Sequence, residues 1–136
     1  MEGFDERFFN FLHEKKTSWM KDNVIAACIL HDILKEGWEG CGHTVFEHPN
    51  LAADFVLAVG DLSHIAIEIQ ASTNIAWLIR PHMGQYNTST KSAVVLEKPT
   101  HMFQKLVHAA DNLAARLWIF ETEEVGEKLL KEVNGI

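Results

Sequence analysis

His31 and Asp32 stand side by side inside the apolar stretch VIAACILHDILKEG, residues 24–37. A carboxylate left unpaired in a protein interior is strongly disfavoured and tends to protonate itself. Asp32 therefore needs a cation, a hydrogen-bond donor or an exit to water. A purely local solution is a helix-end pair, with Asp32 satisfied by a neighbour and His31 by the core. Other polar residues in apolar settings suggest a shared solution. His48 stands just before Pro49 at a helix start, His82 follows Pro81 in a loop, and Asp111 lies among small and apolar residues in LVHAADNLAAR. Imidazole nitrogen and carboxylate oxygen together suit a divalent ion such as Mn, Fe, Ni, Zn or Mg. Helices of a bundle can aim such ligands into one cleft, so one cause would account for all of these residues.

Composition limits what kind of chain must position them. At 136 residues the sequence is expected to form one domain, residues 1–136, with a single core. It is 47% hydrophobic with three prolines, an ordinary globular balance, and its formal charge of −7 argues against a nucleic-acid polymer as main partner. Two cysteines, Cys28 and Cys41, follow no disulfide or metal-ligand spacing and fit a reducing cytoplasm. The start MEGFDERFF lacks the features of a signal peptide, and no apolar run approaches the roughly 20 residues that span a bilayer. The expectation is a soluble cytoplasmic protein without a membrane partner; monomer and homo-oligomer both remain open.

The periodicity is helical almost throughout. Phe4, Phe8, Phe9, Phe11 and Leu12 predict an amphipathic helix over about residues 4–16. Thr17 or Ser18 can cap a second helix, through WMKDNVIAACILHDILKE, that Gly37 can end; being apolar nearly all round, it is expected to be central. Residues 37–49 hold three glycines and read as a loop. Helical spacing resumes through NLAADFVLAVG, with Gly60 as a stop, and again from Ser63 to Ile79. RPHMGQYNTSTKSAVVLEKP reads as irregular, a long helix follows from Thr100, and EEVGEKLLKEV forms a shorter one. No stretch alternates as a hairpin and no repeat appears. The predicted fold is all-α, a compact helical bundle.

At the polar positions the sequence resembles the HD-domain metal-dependent phosphohydrolases. AACILHDILKEG is similar to that family's A-A-x-L-H-D-x-x-K, TVFEHPNLAADFV to its segment ending in H-P and a helix, IRPHMGQYN to its H-x-G loop, and KLVHAADNLAAR to its closing A-D-x-L-A-x-R. The resemblance covers roughly residues 24–119. It implies an all-helical HD-like domain in which His31, Asp32 and Asp111 bind a metal. His48 and His82 match positions that help hold a second ion beside the shared Asp32 in two-metal members. Family members usually carry a further metal-binding histidine well upstream, whereas the one histidine preceding His31 here is His13, in FLHEKK. Three outcomes stay open: His13 serves from an unusual position, His48 and His82 complete a rearranged site, or catalysis has been lost.

The implied reaction is hydrolysis of a nucleotide or related small phosphate ester, with one or two divalent ions activating a water whose hydroxide attacks phosphorus in line. Asp32 and Asp111 would anchor the ion and His31 would complete it. Lys35 and Arg80 could stabilise phosphate charge, and His82 or Glu47 could protonate the leaving oxygen. Each has a plainer reading: Lys35 as a solvated residue near a helix end, Arg80 and Gln85 as loop residues facing water. His108, three residues before Asp111, could be a ligand, a support for one, or a core histidine. His43, His64 and His101 read as ordinary, and the four tryptophans as core, with Trp38 able to stack on a base. The competing function is a catalytically degenerate HD-like module that binds a nucleotide or a protein partner.

Overall fold

Met20, Val24 and Ala27 recur at one-turn spacing and are all buried, which fixes the inner stripe of the first helix, α1 (Lys21–Leu30). The structure, a computed structural model, describes residues 20–115 together with 131, 133 and 134. The helix expected over 4–16, the caps Thr17 and Ser18, His13, and most of the chain after 115 lie outside the described residues. Among these, the secondary structure is helical, with α2 (His48–Ser63), α3 (Ala66–Ile79) and α4 (Met102–Ala114) following α1. Among the described residues no strand accompanies them, apart from an isolated bridge between Ser89 and Ser92, so the fold is all-α as expected.

The regular ladder of α1 ends at Leu30, short of the expected Glu36. Beyond it the chain follows three-residue turns: Ile33 N–H donates to Leu30 O at 3.0 Å, Lys35 N–H to Asp32 O at 3.0 Å, and Gly37 N–H to Leu34 O at 2.9 Å. His31 and Asp32 sit at this change of geometry, held by side chains from distant segments, and that pull replaces the longer ladder. Gly37, with φ +76°, still closes the segment.

Pro49 occupies the first turn of α2, where its missing N–H costs no ladder bond. Gly60 does not stop this helix. The chain continues to Ser63 and turns at His64, whose φ is 56°. Gly60 instead allows close crossing of α2 and α3, because a Cβ there would overlap the Ser72 side chain.

The middle element is α3, which packs against each of the other three helices and most extensively against α2. Among the described residues, α1 buries Val24 and Ala27 and packs Cys28 and Leu30 against the core, while Ile29 is 73% exposed. Leu78, Ile79, Val24, Leu106 and Val107 are among the largest fully buried side chains of the core, each contributing about 1.5–3 kcal/mol of transfer free energy.

The segment between α3 and α4 is irregular, as expected, yet tied at several points. Leu96 N–H donates to Asn87 O at 2.9 Å, and Asn87 Nδ2 donates to Leu96 O at 3.0 Å. At the start of α4 the His101 ring accepts from Phe103 N–H, while Gln104 accepts from the His101 N–H and donates to Trp77 O at 3.0 Å. That capping box anchors α4 to the C-terminal end of α3. No helix among the described residues is long and apolar enough to cross a membrane.

Candidate metal centre

The last carbonyls of an α-helix have no partner within it, and two histidines use this fact. His31 Nδ1 donates to Cys28 O at 2.7 Å in the last turn of α1, and His82 Nδ1 donates to Ile79 O at 2.9 Å at the end of α3. His48, opening α2, makes the same three-residue reach, with Nδ1 donating to Val45 O at 2.7 Å. A carbonyl can only accept, so each Nδ1 carries the hydrogen. Each neutral ring then leaves a bare electron pair on Nε2.

Those three Nε2 atoms point into one cluster with two carboxylates. His31 Nε2 lies 3.1 Å from Asp111 Oδ1 and 3.6 Å from Asp32 Oδ2. His48 Nε2 lies 3.2 Å from Asp32 Oδ1 and 3.2 Å from His82 Nε2, which is itself 3.8 Å from Asp32 Oδ1. The Asp32 carboxylate thus stands between a His31–Asp111 pair and a His48–His82 pair. Lys35 Nζ approaches its Oδ2 at 2.6 Å. His48 and His82 are buried, whereas the side chains of Asp32 and Asp111 keep about a third of their surface open, so the cluster has a wet mouth.

Electron pairs that face one another at these distances repel unless a positive charge lies among them. At His31 a proton can supply it. Burial opposes the imidazolium there, but the hydrogen bond and charge of Asp111, with Asp32 beyond, outweigh burial and raise the pKa above its usual value. At His82 burial dominates and pushes the pKa down to about 4, so near neutral pH its Nε2 is bare. Burial also resists ionisation of Asp32, yet His48, Lys35 and His31 overcome it and hold its carboxyl well below the usual carboxylate range. Asp111 is lowered likewise, with His31 outweighing burial. The donor set of imidazole nitrogen and ionised carboxylate fits a divalent cation. His31, Asp32 and His82 each offer a ligand atom, all within 4.8 Å of one another, and form a group able to hold a metal ion.

No family model matches this chain, and neither a curated protein nor a solved structure does. The site is therefore read from its own geometry.

Of the predicted ligands, the structure brings His31, Asp32, His48, His82 and Asp111 together, although they come from four separate segments. The remaining predicted residues divide. Lys35, half exposed, is paired with Asp32 at the mouth. Glu47 accepts a short hydrogen bond from Ser92 Oγ, and Arg80 Nη2 is paired with Asp54 Oδ1 at 2.6 Å; both engage partners outside the cluster. His108 is buried and donates from Nδ1 to the backbone carbonyl of His82 at 2.6 Å.

Sequence reasoning missed the carbonyls of Cys28, Val45 and Ile79 that set the three tautomers. For Cys28 and Ile79 the signal was positional, since a histidine three residues beyond a carbonyl in a helix's last turn can cap it; Val45 lies in the loop before α2 and carries no such signal. Ser92 was missed as well, and nothing in its Thr-Ser-rich surroundings singles it out.

Proposed function

We propose that this protein is an HD-type metal-dependent phosphohydrolase acting on a nucleotide or related small phosphate ester. The observation that carries the reading is the convergence of three Nε2 atoms and two carboxylates, with each Nδ1 hydrogen given to a backbone carbonyl, on one partly open cluster. The ordered likeness of four segments to the HD family supplies the reaction class. One or two divalent ions (Mn, Fe, Ni, Zn or Mg), which His31, Asp32, His48, His82 and Asp111 would hold, would supply Lewis-acid charge for the phosphoryl oxygens and an activated water for hydrolysis.

The chain's own residues then have distinct tasks. Asp32 and Asp111 hold the cation, with Asp32 turning Oδ1 towards His48 and His82 and Oδ2 towards His31 and Lys35. His31, His48 and His82 do not need to reorient, since each ring is already tethered through Nδ1, although His31 would have to give up its Nε2 proton to hold a cation. Lys35 neutralises Asp32 when no cation does, and its flexible ammonium is free to turn to a substrate phosphate once one binds. His82, deeply buried, is better suited to holding an ion than to moving a proton, and Glu47 would have to leave Ser92 and take up a proton before it could serve the leaving oxygen. Arg80 must first leave Asp54 to reach a phosphate.

The test is a turnover screen of nucleoside mono-, di- and triphosphates with each metal. Release of phosphate or pyrophosphate that stops on chelation supports the reading; no turnover with any of the metals contradicts it. The second reading, a degenerate HD-like module that binds a nucleotide or protein partner, is favoured by one observation: Glu47 and Arg80 are engaged elsewhere. Saturable nucleotide binding without turnover would select it.

A further inference from the structure

The three histidines of the cluster are not equally supported. His48 opens α2 and His31 caps the end of α1, where turns begin, whereas His82 stands three residues beyond the end of α3 within a succession of turns. There Gly84 N–H donates to Pro81 O at 3.0 Å and Tyr86 N–H to Met83 O at 3.0 Å. Short turns of this kind leave a residue more room to shift than a helix does. His82 nevertheless has to keep Nε2 within hydrogen-bond range of His48.

A second anchor reaches this segment from α4. The His108 ring is 3% exposed, and its Nδ1–H donates to the His82 carbonyl at 2.6 Å, a contact 26 residues apart in sequence. The ring also fills the space over Gly84, where any Cβ would overlap three of its atoms, and Gly84 has φ +57°. His108 and Asp111 are three residues apart on one helix face. The same turn of α4 therefore presents a carboxylate to the cluster and clamps the loop that carries His82.

We infer that His108 is a positioning residue: its Nδ1–H, donated to the His82 carbonyl, sets where the His82 imidazole stands and so the affinity of the cluster for a divalent cation. The inference rests on the metal reading above for its functional consequence. His108 does not touch the cation. It joins the His48–His82 side of the site to the helix that bears Asp111, so the two sides move together.

The test compares His108→Asn with His108→Gln in the full chain. An Asn amide nitrogen sits at the same distance along the side chain as Nδ1 and can replace the donor; a Gln amide lies one bond further out and cannot reach the same point. Both are polar, so general disruption of the core affects the two alike. Cobalt(II) affinity, followed by visible absorption, should fall roughly 10-fold or more in the Gln variant and stay close to wild type in the Asn variant. In metal-free protein, amide hydrogen exchange across residues 80–86 should quicken for Gln and not for Asn. Equal cobalt affinity and equal exchange in all three proteins would overturn the inference, as would equal loss in both variants. A wild-type protein that takes up no cobalt overturns the metal-dependent part together with the metal reading, while the exchange comparison still decides the tether.

Discussion

His48 and His82 aim their Nε2 atoms at each other across 3.2 Å, although each ring has already given its Nδ1 hydrogen to a backbone carbonyl. Two bare Nε2 atoms arranged in this way repel unless a hydrogen or a cation stands among them and the Asp32 oxygen, 3.2 Å from His48. A cation between them turns the same geometry into coordination, with tautomers preset by carbonyls, as is usual for metal-binding histidines.

Replacing either ring should therefore weaken metal binding. His48→Ala and His82→Ala are each expected to lower divalent-ion affinity about 10-fold or more, the scale of losing support at a metal site. His13→Ala should leave it unchanged. Calorimetric titration with Mn(II) distinguishes these outcomes, and loss at His13 with none at His82 would restore the displaced-histidine alternative.

The metal-free protein should be most stable near the unperturbed histidine pKa and lose stability on both sides. His82 titrates near pH 4 when folded and near about 6.5 when unfolded, so between these values the unfolded chain binds more protons and acidification destabilises the fold. His31 is raised, so its contribution is fully present below about 6.5 and is lost as pH climbs through its folded value. Asp32 and Asp111, both lowered, stabilise above the usual carboxylate range and lose that effect in stronger acid. Thermal melts from pH 4 to 9 with chelator present should trace a maximum; a flat or steadily rising profile would contradict the assignments.

Lys35 separates binding of metal from binding of substrate. Lys35→Gln should retain metal and cost less than about 1 kcal/mol of stability, because the pair with Asp32 is partly exposed. If the ammonium stabilises phosphate charge, kcat/KM should fall on the order of 100-fold. Steady-state kinetics on whichever nucleotide turns over gives the answer, and unchanged kcat/KM would return Lys35 to a solvated ion pair.

Gly60→Ala tests the crossing of α2 and α3. The added Cβ meets the Ser72 side chain, and overpacking of this kind costs about 1–3 kcal/mol. Ser72→Gly in the same protein should recover part of the loss. Denaturant unfolding of the single and double variants measures both.

Much of this architecture was legible in the sequence. Repeating apolar positions marked the helices around Val24, Ala52, Ala76 and Leu106, and polar residues stranded in apolar runs marked His31, Asp32, His48, His82 and Asp111. Boundaries were less legible wherever tertiary contact overrode local preference. Gly60 reads as a stop by composition, but its missing side chain is used by a neighbouring helix. His31 and Asp32 look like the interior of a continuous helix, but partners from distant segments hold the chain in turns there. The engagement of Arg80 by Asp54 and of Glu47 by Ser92 depends on pairs 26 and 45 residues apart, which periodicity does not report. The tautomers follow from backbone carbonyls, whose availability depends on where α1 and α3 end and on how the loop enters α2.

Metal content of wild-type and Asp32→Asn protein, purified without chelator and measured by elemental mass spectrometry, tests the central claim most directly. Asp32 lies between both halves of the cluster, and Asn removes its charge at nearly constant shape. Wild-type protein is expected to carry a divalent ion in stoichiometric amount, or to take one up when Mn, Fe, Ni, Zn or Mg is supplied, and the Asn variant to lose most of it. Wild-type protein that binds none of these metals, or an Asn variant that binds them equally well, would contradict the account.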